Sequence, residues 1–243
     1  MEGPVARLIL QRPETRNAFS LADWSKLYEA AQRLGQSSAR VVVLESAVAG
    51  QFCAGADIKA MAGMRADLAL ASRFRTDMRA AFAAIAQLPM PTIAHIQGNC
   101  FGAGVALSLA CDMRIAGRAA RFAITPAKLG IIYPYEDIAR LRALVGFGQA
   151  SRLLFSATTI DAEEAARIGL VELLGDRQDV ASLAEDIARN APSSVSALKS
   201  LVQDPANSPA HAALFDSFFS KAAFAEGFSA FTQKRAPQFP DRD

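Results

Sequence analysis

Residues 40–45 include four consecutive apolar side chains, Val41, Val42, Val43 and Leu44. An unbroken run of this kind marks a strand covered on both faces, because a strand with one wet face alternates. Residues 92–97, closed by Gly98, read as a second buried strand. Shorter strands are expected over 5–11, which Gly3-Pro4 and Pro13 bound, and over 113–116. Helical patterns fall between them. Ser20 followed by Asp23 resembles an N-cap with a carboxylate in the first turn, which predicts a helix over 21–34 ending at Gly35. A loop through Gly50 and Gly55 leads into a long Ala-rich helical stretch that reaches Leu88, where Pro89 and Pro91 stop it. A short Gly/Ala-rich helix is expected over 103–111. From Asp161 onward the pattern is helical almost throughout, with breaks at Gly169, Pro192, Pro205 and Pro209. Strands and helices alternating in this way predict an α/β fold with helices laid against sheets.

The chain is divided in expectation into an α/β core, 1–190, and a helical appendage, 191–243. The appendage carries Phe215, Phe218, Phe219, Phe224, Phe228 and Phe231, an apolar face that either folds back on its own domain or meets another copy. At 243 residues the chain is long enough for a substantial core. With 51% hydrophobic and 21% charged residues it has the composition of a globular protein, not a disordered one. A formal net charge of +2 with scattered Lys and Arg gives no reason to expect nucleic acid or a membrane surface. Three cysteines do not make a disulfide framework, and His95 and His211 are too far apart in sequence to suggest a zinc site. No apolar run reaches the roughly 18 residues of a membrane span and no signal peptide is recognisable, so the reading is cytoplasmic, with no metal.

Two turns share a design. In Phe52-Cys53-Ala54-Gly55-Ala56-Asp57-Ile58, small residues end a loop and Asp57 is placed to cap a helix. In Gly98-Asn99-Cys100-Phe101-Gly102-Ala103-Gly104, a buried strand breaks into a Gly-rich turn and then a helix. The first turn of a helix leaves main-chain N–H groups unpaired, and small residues let a ligand approach them. Such groups can hold an oxyanion as charge develops on it. Either turn alone is also what any Gly-rich helix start looks like.

The two turns together, with Arg16-Asn17-Ala18-Phe19-Ser20, Ala110-Cys111-Asp112, Leu129-Gly130, Gly169-Leu170-Val171 and Glu226-Gly227-Phe228, resemble the crotonase superfamily, the enoyl-CoA hydratase/isomerase family. The resemblance spans almost the whole chain. It implies a spiral of ββα units with a C-terminal helical trimerisation region, and assembly as a trimer or a dimer of trimers. It implies an acyl-CoA substrate and no separate cofactor, coenzyme A being part of the substrate. Carried over by motif, the oxyanion N–H groups fall on Ala54 and Ala103. CoA contacts are implied for Arg16, Ala18, Ala56, Asp57 and Ile58, and for Phe231 and Lys234 reaching over from a neighbouring subunit.

The resemblance breaks where hydratases keep two glutamates for moving protons. Those positions hold Ala106 and Pro126, which carry no proton, so ordinary hydration is not expected. Two tyrosines and two carboxylates follow in Tyr133-Pro134-Tyr135-Glu136-Asp137. Glu136 or Asp137 either faces the substrate or caps a helix running to about Val145. The segment ending at Tyr133 looks like its counterpart in methylmalonyl-CoA decarboxylase, where a tyrosine stands at this place. Decarboxylation makes a thioester enolate without a base, and Tyr133 would orient the leaving carboxylate or deliver the final proton. Three readings follow: a family enzyme working through an oxyanion-hole-stabilised enolate, a decarboxylase within that class, and a CoA-thioester binding protein without catalysis.

Overall fold

The computed structural model describes residues 3–240 except 205 and 207, so the break expected at Pro205 lies outside the described residues. Among the described residues, nine strands form two sheets. The first takes β1 (Val5–Leu10), β2 (Val41–Ser46), β4 (Thr92–Ile96), β6 (Met113–Ala116) and β9 (Leu173–Leu174) in that order, all parallel. The second takes β3 (Gln51–Cys53), β5 (Asn99–Phe101), β7 (Arg121–Ala123) and β8 (Ile160–Asp161), with only the last pair antiparallel. From β2 to β7 the chain lays one strand in each sheet and then crosses to the next pair, with helices at the first two crossings. The four long strands stand where the apolar runs predict them. The three-residue strands of the second sheet are too short to show a period, and the sequence gives no sign of them.

The run Val41-Val42-Val43-Leu44 is apolar throughout because each side of β2 meets a different core. Val41 and Val43, with Ile93 and Ile115, pack against Val180, Ala184 and Ala188 of helix α7 (Arg177–Ala188). Val42 and Leu44 enter the main core with Ala94, Ile96, Phe82 and Leu107. Helix α1 (Leu21–Gly35) begins at Ser20 with the expected capping box: Asp23 accepts from the Ser20 N–H at 2.8 Å. Its Trp24 is fully buried, stacked on Phe19 at 4.4 Å and set edge-on to Phe74 and Phe82.

The long helix expected after Gly55 is broken. A single turn, α2 (Ile58–Met61), is followed by a 3-10 turn, and α3 (Leu68–Ala86) starts afresh where Asp67 accepts from the N–H groups of Ala69 and Leu70. Asp67 is an N-cap that the alanine-rich pattern hid. Helix α4 (Ala103–Leu109) is short and buried. The segment Tyr135–Ser156 (α5) is helical except at Gly146, whose φ of 75° turns the chain just after Val145. After α6 (Ala162–Arg167) and α7 come α8 (Pro192–Gln203), α9 (Pro209–Ser217) and α10 (Ala222–Gln233). Helix α8 is tied to the core by Lys199, which reaches Asp112 at 2.8 Å and donates to the Met90 carbonyl. No helix among the described residues is long and apolar enough to cross a membrane.

Candidate active site

The two Gly/Ala turns meet. Gly104 lies so close to Cys53 that a Cβ there would stand 2.6 Å from the Cys53 carbonyl oxygen. A Cβ on Gly55 would come within 3.0 Å of the Phe101 carbonyl and 3.4 Å of the Ala103 nitrogen. Only glycines permit this approach, and it sets the loop after β3 directly against the start of α4. Ala54, Ala56 and Ala103 are each half-buried, whereas Gly55 and Gly104 are buried, so the contact opens to solvent along its alanines.

Hydrogen bonding then selects among the N–H groups. Ala54 donates to the Arg16 carbonyl at 3.0 Å, which corrects the expectation of a free donor there. Gly55 N–H points to Cys53 Sγ at 3.4 Å, and Asp57 N–H donates to the Phe19 carbonyl at 2.9 Å. Ala56 is bridged to Phe19 in parallel, an arrangement in which its neighbours make both bonds and its own N–H points the other way. Among the described residues, that N–H makes no hydrogen bond. In α4, Gly102 donates to Ala123 and accepts from Val105 and Ala106, which leaves Ala103 N–H without a partner among the described residues. The free pair is therefore Ala56 and Ala103. That the Ala54 N–H is taken is not legible in the sequence, because the bond to Arg16 spans 38 positions.

The approach to this loop is held by a left-handed pair, Arg16 at φ 53° and Asn17 at φ 59°. Asn17 is buried, donates to Ser46 Oγ and the Phe52 carbonyl, and accepts from Arg12 N–H. It is the residue that ties the Arg16 carbonyl to the β3 turn, and the sequence reading passed over it. Arg16 itself is exposed, Ala18 is buried, Asp57 caps α2 by accepting from Lys59 N–H, and Ile58 is 62% exposed. The exposed apolar Ile58 and the cation of Arg16 thus flank the turn.

Ala106 is buried within α4, and Pro126 opens a 3-10 turn, so neither position supplies an ionisable group. Tyr133 is buried beside them and donates its hydroxyl to the Gly102 carbonyl at 2.9 Å. Burial, and then the Asp137 carboxylate, push its phenol well above the usual tyrosine range. Its hydroxyl proton is directed at the carbonyl of the residue that precedes Ala103. Both acids after Tyr133 lie in the first turn of α5, where the helix start favours them, and the N-cap Pro134 makes no side-chain hydrogen bond. Glu136 pairs with Arg79 of α3. Asp137 is 2% exposed, with Oδ1 3.7 Å from Arg140 and a buried Oδ2 that has no partner among the described residues. Burial raises its carboxyl to about 6 against the pull of Arg140.

The cysteines are buried, and burial pushes the Cys53 and Cys111 thiols up to about 12, the opposite of a nucleophile. Phe231 and Lys234 lie on and just after α10, both exposed. Phe231 borders an apolar cavity of about 520 Å³ that Leu198, Leu201, Leu214 and Phe228 also line, away from the Gly/Ala turns of the same chain. The phenylalanines of this region meet edge-on in a ladder, Phe215 with Phe219 and Phe219 with Phe224, both at 5.3 Å between ring centres. They fold back in part, yet Phe228 keeps 62% of its surface exposed.

Known proteins resemble this chain in sequence and fold over its whole length. The sequence pattern of the enoyl-CoA hydratase/isomerase family matches residues 1–242. A protein of Mycobacterium tuberculosis named "Probable enoyl-CoA hydratase echA6" is 33% identical over 239 residues, covering 97% of this chain and 95% of its own. The short-chain-enoyl-CoA hydratase of Clostridium acetobutylicum is 33% identical over 240 residues, covering 97% and 90%. The crystal structure of an enoyl-CoA hydratase/carnithine racemase from Magnetospirillum magneticum superposes with a TM-score of 0.94 at 31% identity, covering 100% of this chain and 94% of that one. With its ββ-crossover spiral and its paired Gly/Ala turns, the chain belongs to the enoyl-CoA hydratase/isomerase family of the crotonase superfamily.

Proposed function

We propose that this protein binds an acyl-CoA thioester and stabilises its enolate, with the thioester oxygen held by the N–H groups of Ala56 and Ala103. The supporting observation is the contact of the two turns, made by Gly55 and Gly104, which sets these two unpartnered main-chain donors on adjoining turns. Donors fixed in place act on charge as it develops, and one such donor is worth about 10²–10³ in rate. The apolar loop around Ile58 receives the pantetheine and adenine, with Arg16 placed for a phosphate. Phe231 and Lys234 act on the CoA of a neighbouring copy, and the exposed phenylalanine ladder is the face through which copies associate as a trimer or dimer of trimers.

Hydration needs a carboxylate to position water, and Ala106 and Pro126 supply none. Loss of CO₂ from a 2-carboxyacyl thioester needs none, because the breaking C–C bond itself delivers the electron pair to the enolate. A malonyl-type CoA ester is therefore the substrate class this site favours. Tyr133 acts as a positioning residue: its bond to the Gly102 carbonyl fixes the turn that carries Ala103.

The test incubates the purified protein with enoyl-, 3-hydroxyacyl- and malonyl-type CoA esters and follows the products by mass. Loss of CO₂ from a malonyl-type ester supports the proposal. Hydration of crotonyl-CoA at the usual enzyme rates of roughly 1–10³ s⁻¹ contradicts it. Binding of every ester with no product from any of them assigns the chain to the non-catalytic reading.

A further inference from the structure

An enolate held by two N–H groups must still gain a proton at carbon, and the family positions for that task hold Ala106 and Pro126. Asp137 is the unexplained carboxylate of this neighbourhood. It sits in the first turn of α5, the helix that packs on α4, and four residues after Tyr133. Tyr133 in turn is bonded to Gly102, the residue before Ala103. After burial, the Asp137 carboxylate is the next cause that pushes the Tyr133 phenol up.

A buried carboxylate with a structural duty shows partners. Among the described residues, no main-chain N–H donates to the buried Asp137 Oδ2. Its one ion pair, to Arg140, is long at 3.7 Å, and Oδ2 has no partner among the described residues although it is shut from solvent. Leaving an acceptor buried and unpaired costs stability without return to the fold, and such costs collect where a ligand completes the contact. Glu136, the other acid of this turn, is taken by Arg79.

We propose that Asp137 is the proton-transfer group of this site, exchanging its proton with the α-carbon of the thioester enolate. The inference rests on the enolate reading above and adds to it the residue that completes the reaction. In the protonating direction the Asp137 O–H bond breaks and a C–H bond forms at the α-carbon, made by the enolate electron pair. The negative charge passes to the Asp137 carboxylate, which takes a proton from water before the next turnover. In reverse the carboxylate removes an α-proton and the enolate charge settles on the oxygen held by Ala56 and Ala103. Burial moves Asp137 to about 6, close to the pH at which a group both gives and takes protons efficiently. The charges around it are Arg140 and Glu136 on α5 and Arg79 on α3, and its carboxylate in turn acts on the Tyr133 phenol.

Solvent exchange isolates this step from decarboxylation. Propionyl-CoA is incubated in D₂O with the parent, Asp137→Asn and Asp137→Glu, and α-deuterium is read by mass while affinity for propionyl-CoA is read by calorimetry. The parent is expected to incorporate deuterium, faster as pH rises through about 6 and level beyond it. Asp137→Asn is expected to lose about 10²–10⁴-fold in exchange rate, with its affinity kept and the pH step gone. Asp137→Glu is expected to recover part of the rate, which a purely structural role would not produce. Exchange by Asp137→Asn at the parental rate overturns the role of Asp137 and leaves the enolate reading standing. A parent that binds propionyl-CoA and exchanges nothing overturns both. Retained affinity and a cooperative thermal transition in Asp137→Asn exclude misfolding as the cause of a loss.

Discussion

Asp137→Asn should stabilise the protein relative to the parent, and more so as the pH rises. The carboxyl of Asp137 is buried, which raises it from the ordinary 3.8 to about 6. Because the folded value is the higher one, the folded state holds this proton more tightly than the unfolded chain does. Stability is undiminished below about pH 4, falls as pH rises toward 6, and beyond that carries the full cost of a buried carboxylate. The interval from 3.8 to about 6 is worth about 3 kcal/mol at about 1.4 kcal/mol per pH unit. About 2 kcal/mol of it develops between pH 4.5 and pH 7.5. The assay is urea unfolding of both proteins at these two pH values. Whatever offset the new amide introduces is independent of pH and cancels in the comparison. The advantage of the variant over the parent should grow by about 2 kcal/mol between the two conditions. An offset that stays flat with pH would refute the reasoning, because Asp137 would then titrate alike folded and unfolded.

Further outcomes follow from the same geometry. Gly104→Ala places a methyl 2.6 Å from the Cys53 carbonyl and 2.8 Å from Cys53 Cβ, so the two turns must separate. Denaturant unfolding should show a loss of about 1–3 kcal/mol, accompanied by weaker CoA-ester binding. Gly148→Ala meets nothing within 4 Å inside α5 and should instead gain about 0.5–1 kcal/mol by the same measurement. Tyr133→Phe removes one of three donors to the Gly102 carbonyl and should cost about 0.5–1.5 kcal/mol in thermal or urea unfolding. Its turnover should fall while the pH profile keeps its midpoint; a shifted midpoint would return Tyr133 to the list of proton carriers. Ala103→Pro keeps the start of α4, since proline suits the first position of a helix and Gly102 has no Cβ to meet the ring, yet it deletes one oxyanion donor. Turnover should fall about 10²–10³-fold in a folded variant.

How much of this was legible in the sequence depended on how local each signal was. The buried run at Val41 to Leu44 and the Ser20–Asp23 capping box concern neighbours in sequence, and both stand as expected. The second sheet did not show, because three-residue strands such as β3 and β5 have no room for a period and are fixed by partners far along the chain. The first Gly/Ala turn was legible as a turn, but not that its Ala54 N–H is bonded to the Arg16 carbonyl. Which of its N–H groups is free depends on Arg16 and Phe19, and no spacing within Phe52 to Ile58 reveals it. For Asp137 the sequence left two readings open, a carboxylate facing the substrate and a helix-start carboxylate. That it is buried and unpaired, whereas its neighbour Glu136 pairs with Arg79, follows from how α3 and α5 pack and from nothing nearby in sequence.

The central claim is that two main-chain donors, with no hydratase glutamate beside them, make this an enolate-forming site. The most direct measurement is mass-detected turnover of a malonyl-type CoA ester set beside crotonyl-CoA, with the parent and with Ala103→Pro. The account predicts that the parent releases CO₂ from the malonyl-type ester and leaves crotonyl-CoA unhydrated, and that Ala103→Pro loses about 10²–10³ of the rate. Hydration of crotonyl-CoA by the parent, or full decarboxylation by a folded Ala103→Pro, would contradict it.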